Sequence, residues 1–131
     1  MSVEQPCPFC EIVAGRAPAA ICRRWADAIA IVPLKPVVQG HMLVIPKAHV
    51  TDFVDDPAVS AAAMHRAAEF AGDYPAGSMN LITSRGTAAT QSVFHLHLHL
   101  VPRAENDGLA LPWYSGKSRK RAATGPTGET P

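Results

Sequence analysis

Residues 92–102 read Ser-Val-Phe-His-Leu-His-Leu-His-Leu-Val-Pro, with His95, His97 and His99 alternating with Leu96, Leu98 and Leu100. Side chains along a strand point to opposite faces in turn. The spacing therefore predicts a strand over residues 93–101 with the histidines on one face and the leucines on the other. The chain holds six histidines in 131 residues, and strict alternation of three arises by chance in roughly one such sequence in a hundred. An imidazole costs more to bury than an aliphatic group unless it is paired. Three on one strand face mark a site, and the leucines mark the face turned to the core.

Same-face neighbours on a strand stand about 6.6–7 Å apart, too wide for all three rings to bind one ion through bonds of about 2 Å. A division of labour fits better. A neutral imidazole with one nitrogen tied to a backbone carbonyl presents the other as a nucleophile near pH 7. Such a nucleophile suits attack on phosphorus, where flanking donors stabilise the charge of the transferring group. His97, with a histidine on either side, is the candidate. Ser92 reads either as a donor to a phosphate oxygen or as a cap at the start of a strand. His41 and His49, upstream, each read on their own as ordinary polar residues.

Outward from this run, residues 20–25, 28–34, 40–46 and 78–83 read as four more strands, with Pro33 and Pro36 closing the second. Asp56-Pro57 supplies an N-cap and a proline at the first helical position. The helix that follows runs to about Phe70 and is ended by Gly72. Val59, Ala63, Ala67 and Phe70 form its buried stripe, and His65 lies opposite, near Glu69. Residues 11–14 suit a short helical turn stopped by Gly15. Strands, helix, strands with short connections predict an α+β fold: a five-stranded, mainly antiparallel sheet with one main helix packed on it.

The length suits one domain, over residues 1–114. Residues 115–131 carry four basic groups and one acidic, so this tail is +3 and the remainder −2 within a net charge of +1. The balance gives the folded part no nucleic-acid footprint. The Gly, Ser, Thr and Pro content of the tail reads as a disordered basic end. No apolar run approaches the roughly 20 residues that span a bilayer. The start has neither the basic nor the apolar part of a signal peptide, so no membrane association and a cytoplasmic location are expected. Three cysteines do not describe a disulfide framework. Cys22, in an apolar stretch, reads as a small buried hydrophobe. Cys7-Pro-Phe-Cys10 lacks the preceding strand that a redox motif requires, and by itself is weak evidence for a metal.

Taken together, His-Leu-His-Leu-His-Leu-Val, the preceding Gln91-Ser92, and Gly-His-Met-Leu-Val-Ile-Pro-Lys-Ala-His over residues 40–49 resemble the histidine-triad (HIT) family, on its Hint-like branch. The similarity runs from about Cys7 to Arg103. It implies the same α+β fold, usually doubled in a homodimer. It also implies a nucleotide hydrolase or transferase that acts at an α-phosphate through a nucleotidyl-histidine, of the nucleoside phosphoramidase or dinucleoside polyphosphate hydrolase type. By position, His97 matches the nucleophile, His99 the third triad histidine, His41 the upstream histidine, and Ser92 a residue that contacts the phosphate and helps protonate the leaving group. Gln91 falls beside it in the substrate-binding segment. The base pocket maps onto Phe9, Ile12, Ile31, Val32 and Leu34, all apolar as a flat base requires; core packing would explain the same five. Zinc-bearing members place ligands at Cys7, Cys10, His49 and His95, a closed structural set, with no metal required for the chemistry.

Three positions depart from the pattern. An acid that the branch uses on the ribose hydroxyls falls at Pro33, an asparagine at Ser84, and a glycine at Thr90. These departures motivate an alternative expectation, a nucleotide-binding regulatory module with vestigial catalysis, because a poor grip on the sugar raises the cost of positioning the phosphate.

Overall fold

The computed structural model describes residues 7–75 and 77–112. The proposed basic tail at 115–131 lies outside the described residues, as does the end of the proposed 1–114 domain. The elements run α1 (Pro8–Val13), β1 (Ala20–Arg24), β2 (Ala28–Val32), β3 (Met42–Pro46), α2 (Pro57–Gly72), β4 (Met79–Ile82), a 3-10 turn (Thr87–Ala89) and β5 (Leu98–Pro102). The five strands form one sheet in the order β1-β2-β3-β5-β4, every neighbouring pair antiparallel. The α+β architecture read from the sequence is the one observed.

Register sorts the side chains into two faces. Ala30 lies opposite Val44 and Val44 opposite Leu98, while Met42 lies opposite Leu100. These residues form a core with Ala63, Ala67 and Phe70 of α2, and Leu96 joins it. Asp56 caps α2 by accepting from the N–H groups of Ala58 (3.0 Å) and Val59 (3.4 Å), with Pro57 in the first turn. The other face carries Ile31 opposite Leu43, Leu43 opposite His99, and His99 opposite Ile82. That row, left uncovered by α2, is the floor on which the site stands. Cys7 caps α1, whose Phe9 and Ile12 pack on this second face with Ile29, Ile31, Leu43 and Ile45.

Two expectations are corrected. The histidine run is not one strand over 93–101: β5 begins at Leu98, so only His99 of the triad sits in the ladder. Pro46 has no N–H to extend β3, and the backbone of the run turns aside, with the Leu96 N–H donating to the Val50 carbonyl (2.8 Å). Cys22 is exposed rather than buried. It has no partner in the β1–β2 register, which passes from Ile21 opposite Ile31 to Arg23 opposite Ala30, so it is the extra residue of a bulge in the edge strand β1.

Candidate active site

The hydrogen bonds around the histidines assign a proton to one nitrogen of each ring. The Val37 N–H donates to His41 Nδ1 (3.0 Å), so the His41 proton is on Nε2. That Nε2–H donates to His99 Nδ1 (2.9 Å), which places the His99 proton on its own Nε2. His97 is set the other way: its Nδ1–H donates to the His95 carbonyl (2.7 Å), leaving Nε2 with a lone pair. No group among the described residues is bonded to His97 Nε2. Two neighbouring imidazoles, with ring centres 5.1 Å apart, thus differ in kind, one presenting a lone pair and the other a proton.

Electrostatics keeps both rings neutral at pH 7. Burial pushes the His97 pKa down, partly offset by the bond to the His95 carbonyl. Burial, with the neighbouring His97 and His41 rings, pushes His99 down to about 4. His41, 4% exposed, is lowered by burial alone. A nucleophile needs this state, because a protonated imidazole has no lone pair to offer.

His97 and His99 separate two cavities. The larger, about 650 Å³, is floored by Ile31 and Leu43 and walled by Phe9, Ile12 and Val32, with Leu34, 99% exposed, at its rim; Ser92 and the two histidines also line it. All five residues expected to form an apolar pocket therefore line one slot, and Phe9 meets His97 edge to face with ring centres 5.0 Å apart. The second cavity, about 280 Å³, is bordered by His41, Asn80, Ser84, Gln91 and Arg103. Sequence reasoning did not foresee it, since its walls come from β4, from the loop after β5 and from the turn at Thr90. Arg103 is held there by a bidentate pair with Asp107 (2.7 and 2.8 Å) and by Asn80 (2.7 Å). Gln91 borders this cavity, but its amide is engaged elsewhere. It accepts from the Gly86 N–H (2.8 Å) and donates to the carbonyls of Thr51 (2.8 Å) and Val93 (3.2 Å).

His95 faces away from both cavities and is fully buried. Its Nε2–H donates to the Pro46 carbonyl (2.8 Å), turning the Nδ1 lone pair toward Cys7 Sγ (3.4 Å), Cys10 Sγ (3.5 Å) and His49 Nδ1 (3.1 Å). Cys10 Sγ is 3.2 Å from His49 Nδ1, and the four ligand atoms lie within 4.8 Å of one another. Bonds of 2.0–2.3 Å in a tetrahedron put ligand atoms about 3.3–3.8 Å apart, so two thiolates and two imidazoles so placed fit zinc. Burial and the adjacent Cys7 push the Cys10 thiol up; a bound cation reverses that effect by stabilising the thiolate. The carbonyl that orients His95 is a backbone group, a second partner of the kind metal-ligating histidines use.

Comparison with known proteins places these features in a family. The family model described as the HIT domain matches residues 15–106. An uncharacterized HIT-like protein of Mycobacterium tuberculosis is 38% identical over 111 residues, covering 81% of this chain and 77% of its own. The adenosine 5′-monophosphoramidase of Saccharomyces cerevisiae is 31% identical over 114 residues, covering 86% of this chain and 72% of its own. A zinc-bound histidine triad family protein from Mycobacterium smegmatis superposes with a TM-score of 0.68 at 38% identity, covering 77% of each chain.

Proposed function

The chain belongs to the HIT domain family, and from that premise we propose that it is a nucleotide hydrolase or transferase acting at an α-phosphate through a nucleotidyl-histidine. The observation that carries this reading is the opposed proton placement on His97 and His99. His97 Nε2 forms a bond to the α-phosphorus while the bond from phosphorus to the leaving amine or phosphate breaks. The His99 Nε2–H donates to a phosphate oxygen as charge develops there, positioned by His41 behind it. The Ser92 hydroxyl passes a proton to the leaving group. Water then adds to phosphorus and gives a proton back to the Ser92 oxygen, the P–N bond breaks, and the monophosphate leaves with His97 and Ser92 restored. The base lies in the slot of Phe9, Ile12, Ile31, Val32 and Leu34. Gln91, with its amide spent on three backbone groups, shapes the turn rather than touching substrate.

Structural zinc at Cys7, Cys10, His49 and His95 belongs to the same reading, tying the N-terminal segment to the histidine run. An ion bound there is not part of the reacting centre. No helix among the described residues is long and apolar enough to cross a membrane.

The test is incubation with an adenosine phosphoramidate and with a diadenosine polyphosphate. Wild-type protein releases monophosphate from at least one, and His97→Ala releases none while still binding nucleotide. Wild-type-like turnover by that variant contradicts the mechanism. Tight binding without release by the wild type favours the regulatory module instead, a reading that Pro33 in the slot supports.

A further inference from the structure

We propose that the slot selects nucleotides that carry a phosphate ester on the sugar, and that Lys35 is the residue that selects them; the inference rests on the reading of the slot as a nucleotide site. With a base against Phe9 and Ile12 and a phosphorus at His97, the sugar passes residues 32–35, Val-Pro-Leu-Lys, which form one wall. A ribose with free hydroxyls presents two neighbouring O–H donors, which a carboxylate accepts best. Among the described residues no Asp, Glu, Asn or Gln lines the slot, and Pro33 brings neither an acceptor side chain nor an N–H. The one hydroxyl among the described lining residues, Ser92, is engaged at the phosphate in the proposed chemistry.

The charge balance of that wall is reversed from what a bare diol needs. Among the described residues that line the slot, Lys35 is the one side chain with a full charge at pH 7. No carboxylate among the described residues pairs with it, so its ammonium is not neutralised. Pro33 fixes φ two residues before it, and Pro36 after it disfavours the helical region for Lys35, which narrows the backbone conformations open to this segment. A cation without a companion carboxylate beside the ribose is the arrangement by which dinucleotide sites accept a sugar phosphate over a sugar hydroxyl. Lys35 is exposed, and its attraction is accordingly modest and salt-dependent.

The experiment is calorimetric titration of the full chain at low ionic strength with three probes: adenosine 5′-monophosphate, adenosine 2′,5′-bisphosphate and adenosine 3′,5′-bisphosphate. One bisphosphate is expected to bind about fivefold tighter than the monophosphate, a ratio that shrinks as salt is raised. Comparing the two bisphosphates identifies the sugar position. Lys35→Met keeps the aliphatic stem, removes the charge and brings the ratio toward one; Lys35→Glu takes it below one. Monophosphate binding equal to or tighter than both bisphosphates overturns the inference and leaves the nucleotide reading standing. Failure of all three probes to bind overturns both.

Discussion

His97 and His99 sit two residues apart in the same run yet carry opposite hydrogen-bonding roles, because one meets a carbonyl and the other meets a ring that has already been given its proton. The pH dependence follows. In the unfolded chain a histidine titrates near 6.5, whereas His99 folds with a value of about 4. Between those values the unfolded state binds the proton and the folded state does not, so stability falls as pH drops from about 6.5 to 4 and is fully present above 6.5. The loss from His99 is at most about 3 kcal/mol, reduced by solvent reaching the half-buried ring. Urea titrations at pH 7.5 and 4.5 measure it; equal stability at both contradicts the assignment. The same logic puts the acid limb of kcat/KM below the ordinary histidine range, since the His97 pKa is lowered too. A limb centred above 6.5 contradicts it. Ser92→Ala should slow turnover of a phosphoramidate about tenfold or more and affect a good phosphate leaving group less, because only the amine needs the proton; single-turnover rates on both substrates test this. At this scale the residue types were legible in the alternation and in Gln91-Ser92. The proton placements were not, since the groups that set them, the Val37 N–H and the carbonyls of Pro46 and His95, are backbone groups that no sequence pattern displays.

At the scale of elements, the sequence displayed α2 best. Its cap, its first-turn proline and its stripe are local signals, and Asp56→Ala should cost about 1 kcal/mol in a thermal or urea denaturation. The histidine run was read less well. Alternation carries the right faces, with Leu96, Leu98 and Leu100 in the α2 core, but not the right strand length. How far a strand extends depends on its partner, and β3 stops offering donors at Pro46. The residue that delivers His41 is Gly40. Its φ of +94° favours glycine, and a Cβ there would come within 2.7 Å of the Tyr74 hydroxyl, which donates to the Gly40 carbonyl. Gly40→Ala should destabilise by about 2 kcal/mol. By shifting His41 it should also lower turnover, so denaturation and kcat are to be measured on the same preparation. Unchanged values for both contradict this placement.

Across the whole molecule, residues 88 apart in the chain, Cys7 and His95, meet at 3.4 Å, so α1 is pinned to the segment that carries His97. A small domain gains from such a staple. Purified protein should contain about one equivalent of zinc per chain. Mass action at a metal concentration about a thousandfold above Kd contributes about 4 kcal/mol, so chelation should lower Tm by roughly 10 °C or more. Cys10→Ser should lose the metal and retain more activity than His97→Ala. Metal-free protein whose Tm is unmoved by zinc contradicts the site. Strand order, by contrast, was not readable: that β5 lies between β3 and β4, bringing His41 beside His99, is a consequence of packing that only the assembled sheet displays. The proposed attack of His97 on phosphorus is tested most directly by stereochemistry. A substrate made chiral at the α-phosphorus is hydrolysed in isotopically labelled water and the configuration of the released monophosphate determined. Two displacements, one by His97 and one by water, predict retention; inversion means that water attacks directly and contradicts the account.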